Sequence, residues 1–398
     1  MNATPLAPTA AGRLFFLDWL RILAFALLVP YHVGMYYVSW DWHVKSPHAG
    51  GAIEPLMMLT SPWRLSLLFF IGGAATQALL RRESGLGFVG QRSSRLLWPL
   101  LFGMLVIVPP QAYVQALTQL GFVGDYGAFM QRYLQGGKLC SGANCIDLPT
   151  WNHLWFLPYL WVYSLIAWAL VRWAPKLLDA AAARLPVGPW GLLLGLALPT
   201  MAARLMYGLF PSTHNLTWDW YNHAQYLWAF GLGMVGARAG DRLWAGLQAQ
   251  RWPALGLAFA GWALLCLYFF GPWHDQKLPD GLLTAQRLLW GATQWWAIVA
   301  ACGFARRWLD HDGPWRRRLT GAVFCLYVMH QTVIVLLAWW LQPLALPPVP
   351  EGLLLIVATF SASGAVYLVA QHVPVLAGLL GISRRKPPQA GLLAGSLA

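Results

Sequence analysis

His32 and Arg21 stand eleven residues apart within the first long apolar stretch of the chain, Leu14 to Val38. Histidine has an ordinary pKa near 6.5, which lets it take a proton from a hydroxyl at neutral pH. Arginine is a permanent cation whose planar fork matches carboxylates and phosphates. An ionisable side chain inside a membrane span is costly, so each marks a functional candidate. On a helix, eleven residues turn through about 1100°, within about 20° of three full turns, and rise about 16 Å. The two side chains therefore share one helix face, separated by roughly half the hydrocarbon thickness. Asp18, three residues before Arg21, lies on nearly the same face. Two readings stand for each group. His32 is a general base or a buried histidine bonded to a neighbouring carbonyl, and Pro30 can open the helix beside it. Arg21 is the cationic wall of a cavity for an anionic ligand or the ion-pair partner of Asp18.

Further candidates follow the same logic. Arg92 and Arg95, in Arg92-Ser93-Ser94-Arg95, precede the third apolar stretch and share a helix face at i and i+3, a spacing that can clamp a phosphate. The alternative is anchoring by cytoplasmic arginines. Arg64 opens the run Arg64 to Gly73 near the outer surface, where it either snorkels to headgroups or faces the same cavity as His32. Arg204 and Arg287 also fall in outer halves of spans. His330, three residues after Tyr327, is a second polar group deep in a span, in a site or in packing. His153 begins the fourth span in Trp151-Asn152-His153-Leu154-Trp155-Phe156, which reads first as an aromatic belt. No serine elbow, P-loop, H-E-x-x-H or dinucleotide fingerprint is present, and with few acidic residues a metal site is not favoured.

The elements that must position these groups are membrane helices. Hydrophobic residues make up 58% of the chain and charged residues 10%, against about 25% charged in soluble domains. The expected fold class is therefore all-α, a polytopic integral membrane protein. Ten spans are expected, at 14–38, 55–80, 96–118, 153–172, 190–210, 224–240, 253–271, 283–305, 320–341 and 351–373. The net charge of +13 does not point to nucleic acid, because the basic residues punctuate the ends of apolar runs. Nineteen Lys and Arg fall in one set of loops and termini and four in the other, which places both termini in the cytoplasm. The first stretch is long enough to span and is expected to be a retained helix rather than a cleaved leader. The outer loops, of which 111–152 is the longest and a candidate lid, then carry His43, His48, His214, His223 and His274. Cys140 and Cys145 share that loop as C-x4-C, a candidate local disulfide if the loop is extracytoplasmic. Cys266, Cys302 and Cys325 are expected to be small core residues. Gly231, Gly233 and Gly236 in the sixth span permit close helix packing. The domain is expected to cover 1–383, with a disordered cytoplasmic tail over 384–398.

These motifs carry a resemblance. Phe16-Leu17-Asp18-Trp19-Leu20-Arg21 followed by His32 is similar to the signature of the acyltransferase-3 family of membrane O-acyltransferases. The run from Arg64 through Phe69-Phe70-Ile71-Gly72-Gly73 resembles the family's second-helix motif, with Gly72 where serine is common. Arg92 to Arg95 matches its R-x-x-R motif, and Tyr327-Val328-Met329-His330 resembles its late Tyr/His motif. Trp42-His43-Val44 and His153-Leu154-Trp155-Phe156-Leu157 look closest to the branch that succinylates periplasmic glucans.

The resemblance implies transfer of an acyl group, succinyl in that branch, from cytosolic acyl-CoA to a carbohydrate hydroxyl. It also implies a bacterial-type inner membrane location. Acyl-CoA would be a co-substrate, with no permanently bound cofactor, and the partners would be acyl-CoA, a glycan acceptor and the bilayer. On this reading His32 is the base or, as a second choice, a transient acyl carrier. Arg21, held by Asp18, lines the donor path of a cavity open to both faces, and Arg92 and Arg95 bind CoA phosphates. Arg64, His153, His330, Arg204 and Arg287 are candidates for the acceptor, the oxyanion or a free carboxylate of the acyl group. The rivals are a transporter or flippase for a glycan or lipid-linked sugar, which internal repeats would favour and none is seen, and a non-catalytic scaffold.

Overall fold

A computed structural model describes residues 14–273, 276 and 279–382. Arg13, His274, Lys277 and the expected tail at 384–398 lie outside the described residues. Among the described residues, eight helices are long and apolar enough to cross a membrane: Phe15–Tyr37, Leu86–Gln119, Asn152–Trp173, Gly191–Gly208, Arg251–Phe270, Asp280–Trp308, Pro314–Leu344 and Pro348–Ala370. The shorter Arg64–Leu80 and the 20-residue Trp220–Ala239 pack against each other in the same bundle. Each of the ten expected spans corresponds to one of these segments, and the protein is an all-α polytopic membrane protein.

Two spans depart from expectation. The second was expected to be continuous over 55–80. It is instead a short helix, Glu54–Met58, a turn, and a new helix from Arg64. Pro62 disfavours helical backbone at Ser61, so the chain restarts after it. Arg64 thus occupies the first turn of a helix. The third span begins ten residues early, at Leu86, so Arg92 and Arg95 lie inside the helix rather than ahead of it. A π-helical turn at Gly103–Ile107 precedes Pro109 and Pro110, whose missing N–H groups break the regular ladder.

One end of the bundle is stitched by cross-helix arginines. Arg81 Nη2 donates to the Ala237 carbonyl (3.1 Å), Arg238 pairs with Asp179 (2.6 Å), and Arg306 with Asp241 (3.2 Å) and Asp310. The Asp310 carboxylate also accepts the Phe16 N–H, an orphan donor at the start of the first helix. At the opposite end, the segment after Gln119 forms a lobe of its own. Asp125 caps the helix Tyr126–Gln135 (2.8 Å to Ala128 N), and an antiparallel hairpin pairs Gly137–Ser141 with Asn144–Leu148. Cys140 faces Cys145 across the hairpin and the two are disulfide-bonded. Ala112, Ala116, Phe129, Tyr133 and Leu148 form a small separate core beneath. The Tyr133 hydroxyl donates to the Thr150 carbonyl (3.0 Å) and accepts the Thr150 N–H (3.2 Å), tying the lobe to the irregular segment that enters the site. Cys302 and Cys325 are buried, and Cys266 is partly buried.

Candidate active site

A cavity of about 480 Å³ opens at the end of the bundle opposite the arginine clusters. Its walls come from the first helix (Leu28, Tyr31, His32), the start of the Arg64–Leu80 helix, and the segment 150–156. Tyr327, His330 and Gln331 complete it from the Pro314–Leu341 helix, and Trp42, His43, Thr213 and His214 from loops. No aspartate or glutamate lines it among the described residues.

Hydrogen bonds fix which nitrogen carries the proton in four of its five neutral histidine rings, all but His214, whose Nε2 meets the Ser212 hydroxyl at 3.5 Å. His330 Nδ1 lies 2.7 Å from the Tyr327 carbonyl, which can only accept, so Nδ1 donates and His330 Nε2 is an acceptor. That Nε2 lies 3.1 Å from His32 Nδ1, which also faces the Leu28 carbonyl at 2.9 Å. His32 Nδ1 therefore holds the hydrogen and shares it between the two acceptors. His32 Nε2 keeps its lone pair, and no protein group among the described residues bonds to it. The rings of His153 and His43 are spent. His153 donates from Nε2 to the Val328 carbonyl (3.0 Å) and accepts at Nδ1 from Gln111 (3.2 Å). His43 donates from Nδ1 to Gln115 (2.6 Å) and accepts at Nε2 from Gln331 (2.8 Å). Gln331 also donates to Gln111 (3.1 Å), closing a continuous polar chain. Burial pushes the His43 imidazole down to about 4, against the pull of the Gln115 bond. No group of three or more His, Cys, Asp or Glu is arranged to hold a metal ion among the described residues.

The expected arginines part company. Arg64 is 8% exposed, lines the cavity, and stacks its guanidinium 3.3 Å from the Tyr31 ring centre. Arg21 pairs with Asp18 at 3.5 Å, but the shorter bond to Asp18 comes from Arg316 (2.5 Å), nearly 300 residues away in sequence. Asp18 is thus shared between two helices. Arg92 donates from Nε to Ser164 (2.9 Å) and from Nη2 to Thr76 (3.4 Å), and feels the charges of Arg95 and Arg21. Arg21, Arg92 and Arg95 do not line the cavity. Between them and His32 lies a buried aromatic layer in which Phe25 meets Tyr327 at 5.1 Å and Phe156 at 6.2 Å, and Phe156 meets Phe69 at 4.6 Å. The expected cavity open to both faces is therefore corrected: the space around His32 belongs to one end and is floored by apolar rings. Arg204 and Arg287 are also outside it. Arg204 donates to the Tyr221 hydroxyl (2.7 Å) within a cage of Tyr207, Tyr221 and Trp290, and Arg287 packs against Gly208.

The loop at 211–219 was expected only as an outer loop carrying His214, and its part in the site was not. Asp219, fully buried, accepts from the Tyr159 hydroxyl (2.5 Å), Thr213 N (2.9 Å), His214 N (3.0 Å) and Asn222 Nδ2 (2.8 Å). This clamp holds the His214 ring in a stack on Trp155, centroids 4.1 Å apart, at the cavity wall. Burial pushes the His214 imidazole down to about 4; Asp219 pulls it up and Arg64 pushes it further down. For Asp219, burial raises the carboxyl, but the bonds from Tyr159, Thr213 and Asn222 outweigh it and hold it below the usual range. Asp219→Ala strands two backbone donors and a hydroxyl. It should cost about 2–3 kcal/mol of stability and loosen His214, read as a lower thermal midpoint together with easier proteolysis of the 211–219 loop. An unchanged midpoint and cleavage pattern would show that Asp219 does not clamp the loop.

A family model described as an acyltransferase domain matches residues 14–368. The chain belongs to the acyltransferase-3 family. The match takes in every residue that lines the cavity, so the cavity is a cavity of the acyltransferase domain itself. This acyltransferase is similar to three curated proteins named glucans biosynthesis protein C. It is 27% identical over 176 residues to that of Shigella dysenteriae serotype 1, 23% over 169 to that of Salmonella gallinarum, and 27% over 172 to that of Escherichia coli O6:K15:H31. Each alignment covers 42% of this chain and 41% of the relative, so the chain spans about two-fifths of those proteins' length. No solved structure matches the acyltransferase.

Proposed function

We propose that this membrane acyltransferase moves an acyl group from cytosolic acyl-CoA to a carbohydrate hydroxyl that enters the cavity from the opposite side of a bacterial inner membrane. The observation that carries the reading is the open Nε2 lone pair of His32 in the cavity wall, where His43, His153 and His330 have both nitrogens engaged. The acceptor hydroxyl gives its proton to that nitrogen as its oxygen attacks the thioester carbonyl. The intermediate collapses, the C–S bond breaks, and the imidazolium returns the proton to the departing thiolate. The His330 bond fixes the tautomer needed for this exchange. Transfer by way of an acylated His32 uses the same lone pair.

The donor side is read from charge. CoA is polyanionic, and Arg21, Arg92 and Arg95 gather on the basic end, where its phosphates would arrive. The thioester arm then reaches His32 by parting the Phe25–Phe69–Phe156–Tyr327 layer. The names of the relatives favour a glucan acceptor, and a succinyl group is the acyl candidate of the resemblance. No permanently bound cofactor is needed on this reading.

The test is transfer by the purified protein in sealed vesicles, with labelled acyl-CoA on one side and glucan on the other. Acylated glucan, whose mass increment names the acyl group, and released CoA are expected. Arg95→Ala should raise KM for acyl-CoA about 10–100-fold, the worth of one charged hydrogen bond, with the acceptor KM unchanged. Movement of glycan without consumption of acyl-CoA would replace this reading with transport.

A further inference from the structure

Two residues of the cavity wall carry donors that have no partner among the described residues. Asn152 Nδ2 and Arg64 Nε and Nη1 are buried, and none has a hydrogen-bond acceptor among the described residues. Both residues line the cavity that holds His32. Buried donors are almost always satisfied, so orphans in a cavity wall ask for an acceptor that arrives with the ligand. Neither is an accident of loose packing. Arg64 is clamped flat on Tyr31, whose hydroxyl lies 3.2 Å from Ser61 Oγ, and that oxygen in turn donates to the Met57 carbonyl (2.9 Å). Asn152 has φ of +41°, in the left-handed region that non-glycine residues rarely adopt and that functional sites tolerate. It is held there by Thr150, whose Oγ1 accepts the Asn152 N–H (3.1 Å) and donates to Asn152 Oδ1 (3.3 Å). The amide oxygen is thereby turned back on Thr150, and the NH2 group is left over.

We infer that Asn152 and Arg64 are the oxyanion hole of the transfer step, an inference that rests on the proposed chemistry at His32. When the acceptor oxygen bonds to the thioester carbon, the carbonyl π pair moves onto oxygen and a full negative charge develops there. A cation and an amide N–H, fixed in a wall without carboxylates, bind that oxygen more strongly than the neutral carbonyl it came from. This differential is what accelerates the step. When the C–S bond breaks, the pair returns and the donors are again orphaned. An arginine without a cavity counterion suits this work, since a carboxylate partner would repel the oxyanion.

Asn152→Gly removes the amide and relaxes the backbone, because glycine adopts positive φ without strain. Asn152→Asp keeps the shape and replaces the donor with an acceptor. Both should lower kcat about 10²–10³-fold, the effect of losing one oxyanion donor, with KM for donor and acceptor within about threefold of wild type and the thermal midpoint of Asn152→Gly not reduced. Arg64→Gln should do the same. A phosphonate analogue of the acyl donor, charged where the oxyanion forms, should lose affinity for Asn152→Gly by the same factor as kcat. His32→Gln is run beside them. If it retains wild-type activity, the proposed chemistry fails. If it is inactive while Asn152→Gly and Arg64→Gln keep wild-type kcat, or lose only KM, the oxyanion assignment alone is wrong.

Discussion

Replacing His32 with glutamine lowers kcat about 10²–10⁴-fold, the usual worth of a positioned general base, and leaves the fold intact. Glutamine keeps one half of what the imidazole does. Its amide NH2 can donate to the Leu28 carbonyl and to His330 Nε2, the two acceptors that His32 Nδ1 serves at 2.9 and 3.1 Å. What it cannot supply is a basic nitrogen on the cavity side. The loss is therefore chemical rather than structural, and single-turnover rates with bound acyl donor should fall as far as kcat does. The neighbouring histidines provide the contrast. His153→Ala breaks the bonds to Val328 and Gln111, so its cost falls on stability before rate. A His32→Gln enzyme within tenfold of wild type in single turnover would remove His32 from the role of base.

The helices were legible because membrane insertion is decided locally: about twenty apolar residues bounded by Lys and Arg announce a span without help from the rest of the chain. The breaks were less so. Pro62 and the Pro109-Pro110 pair were visible, but whether a proline kinks a span or divides it depends on what packs beside it. The site was legible where it is charged. His32, Arg64, His153 and His330 announce themselves as polar groups in apolar surroundings, and the fold brings all four to one cavity. Their roles were not legible, because the tautomer of His32 depends on a bond to a residue 298 positions away. The same holds for Asp18, whose short bond comes from Arg316. Neutral amides were missed altogether. Gln111 and Gln331 fall within membrane helices and complete the histidine chain, yet an uncharged side chain gives little signal against an apolar stretch. Asp219 and His214 lie on an irregular loop, where no periodicity places a residue.

Gly73→Ala and Gly233→Ala each prevent the native bundle from forming, with an expected loss above about 3 kcal/mol. The helices Arg64–Leu80 and Trp220–Ala239 cross with these glycines in contact. A Cβ on Gly73 would lie 1.8 Å from the Phe230 carbonyl oxygen, and one on Gly233 would lie 1.9 Å from that of Phe70. Both obstacles are backbone atoms, so no rotamer change relieves them and the helices must separate. Separation undoes the packing of Phe69 on Tyr226 (4.7 Å) and of Phe70 against Trp244 and Trp295, all deeply buried. It also moves the start of the first of these helices, which carries Arg64, Leu65 and Leu68 into the cavity wall. Stability and activity should therefore fall together, unlike the His32 case. Gly231 supplies the internal control, since nothing lies within 4 Å of a Cβ built there. Alanine at that position gains helix propensity of about 0.5–1 kcal/mol and should unfold no earlier than wild type. The comparison is made by thermal unfolding and size-exclusion of the detergent-solubilised variants. Equal midpoints for Gly233→Ala and Gly231→Ala would mean that the two helices do not cross at these glycines.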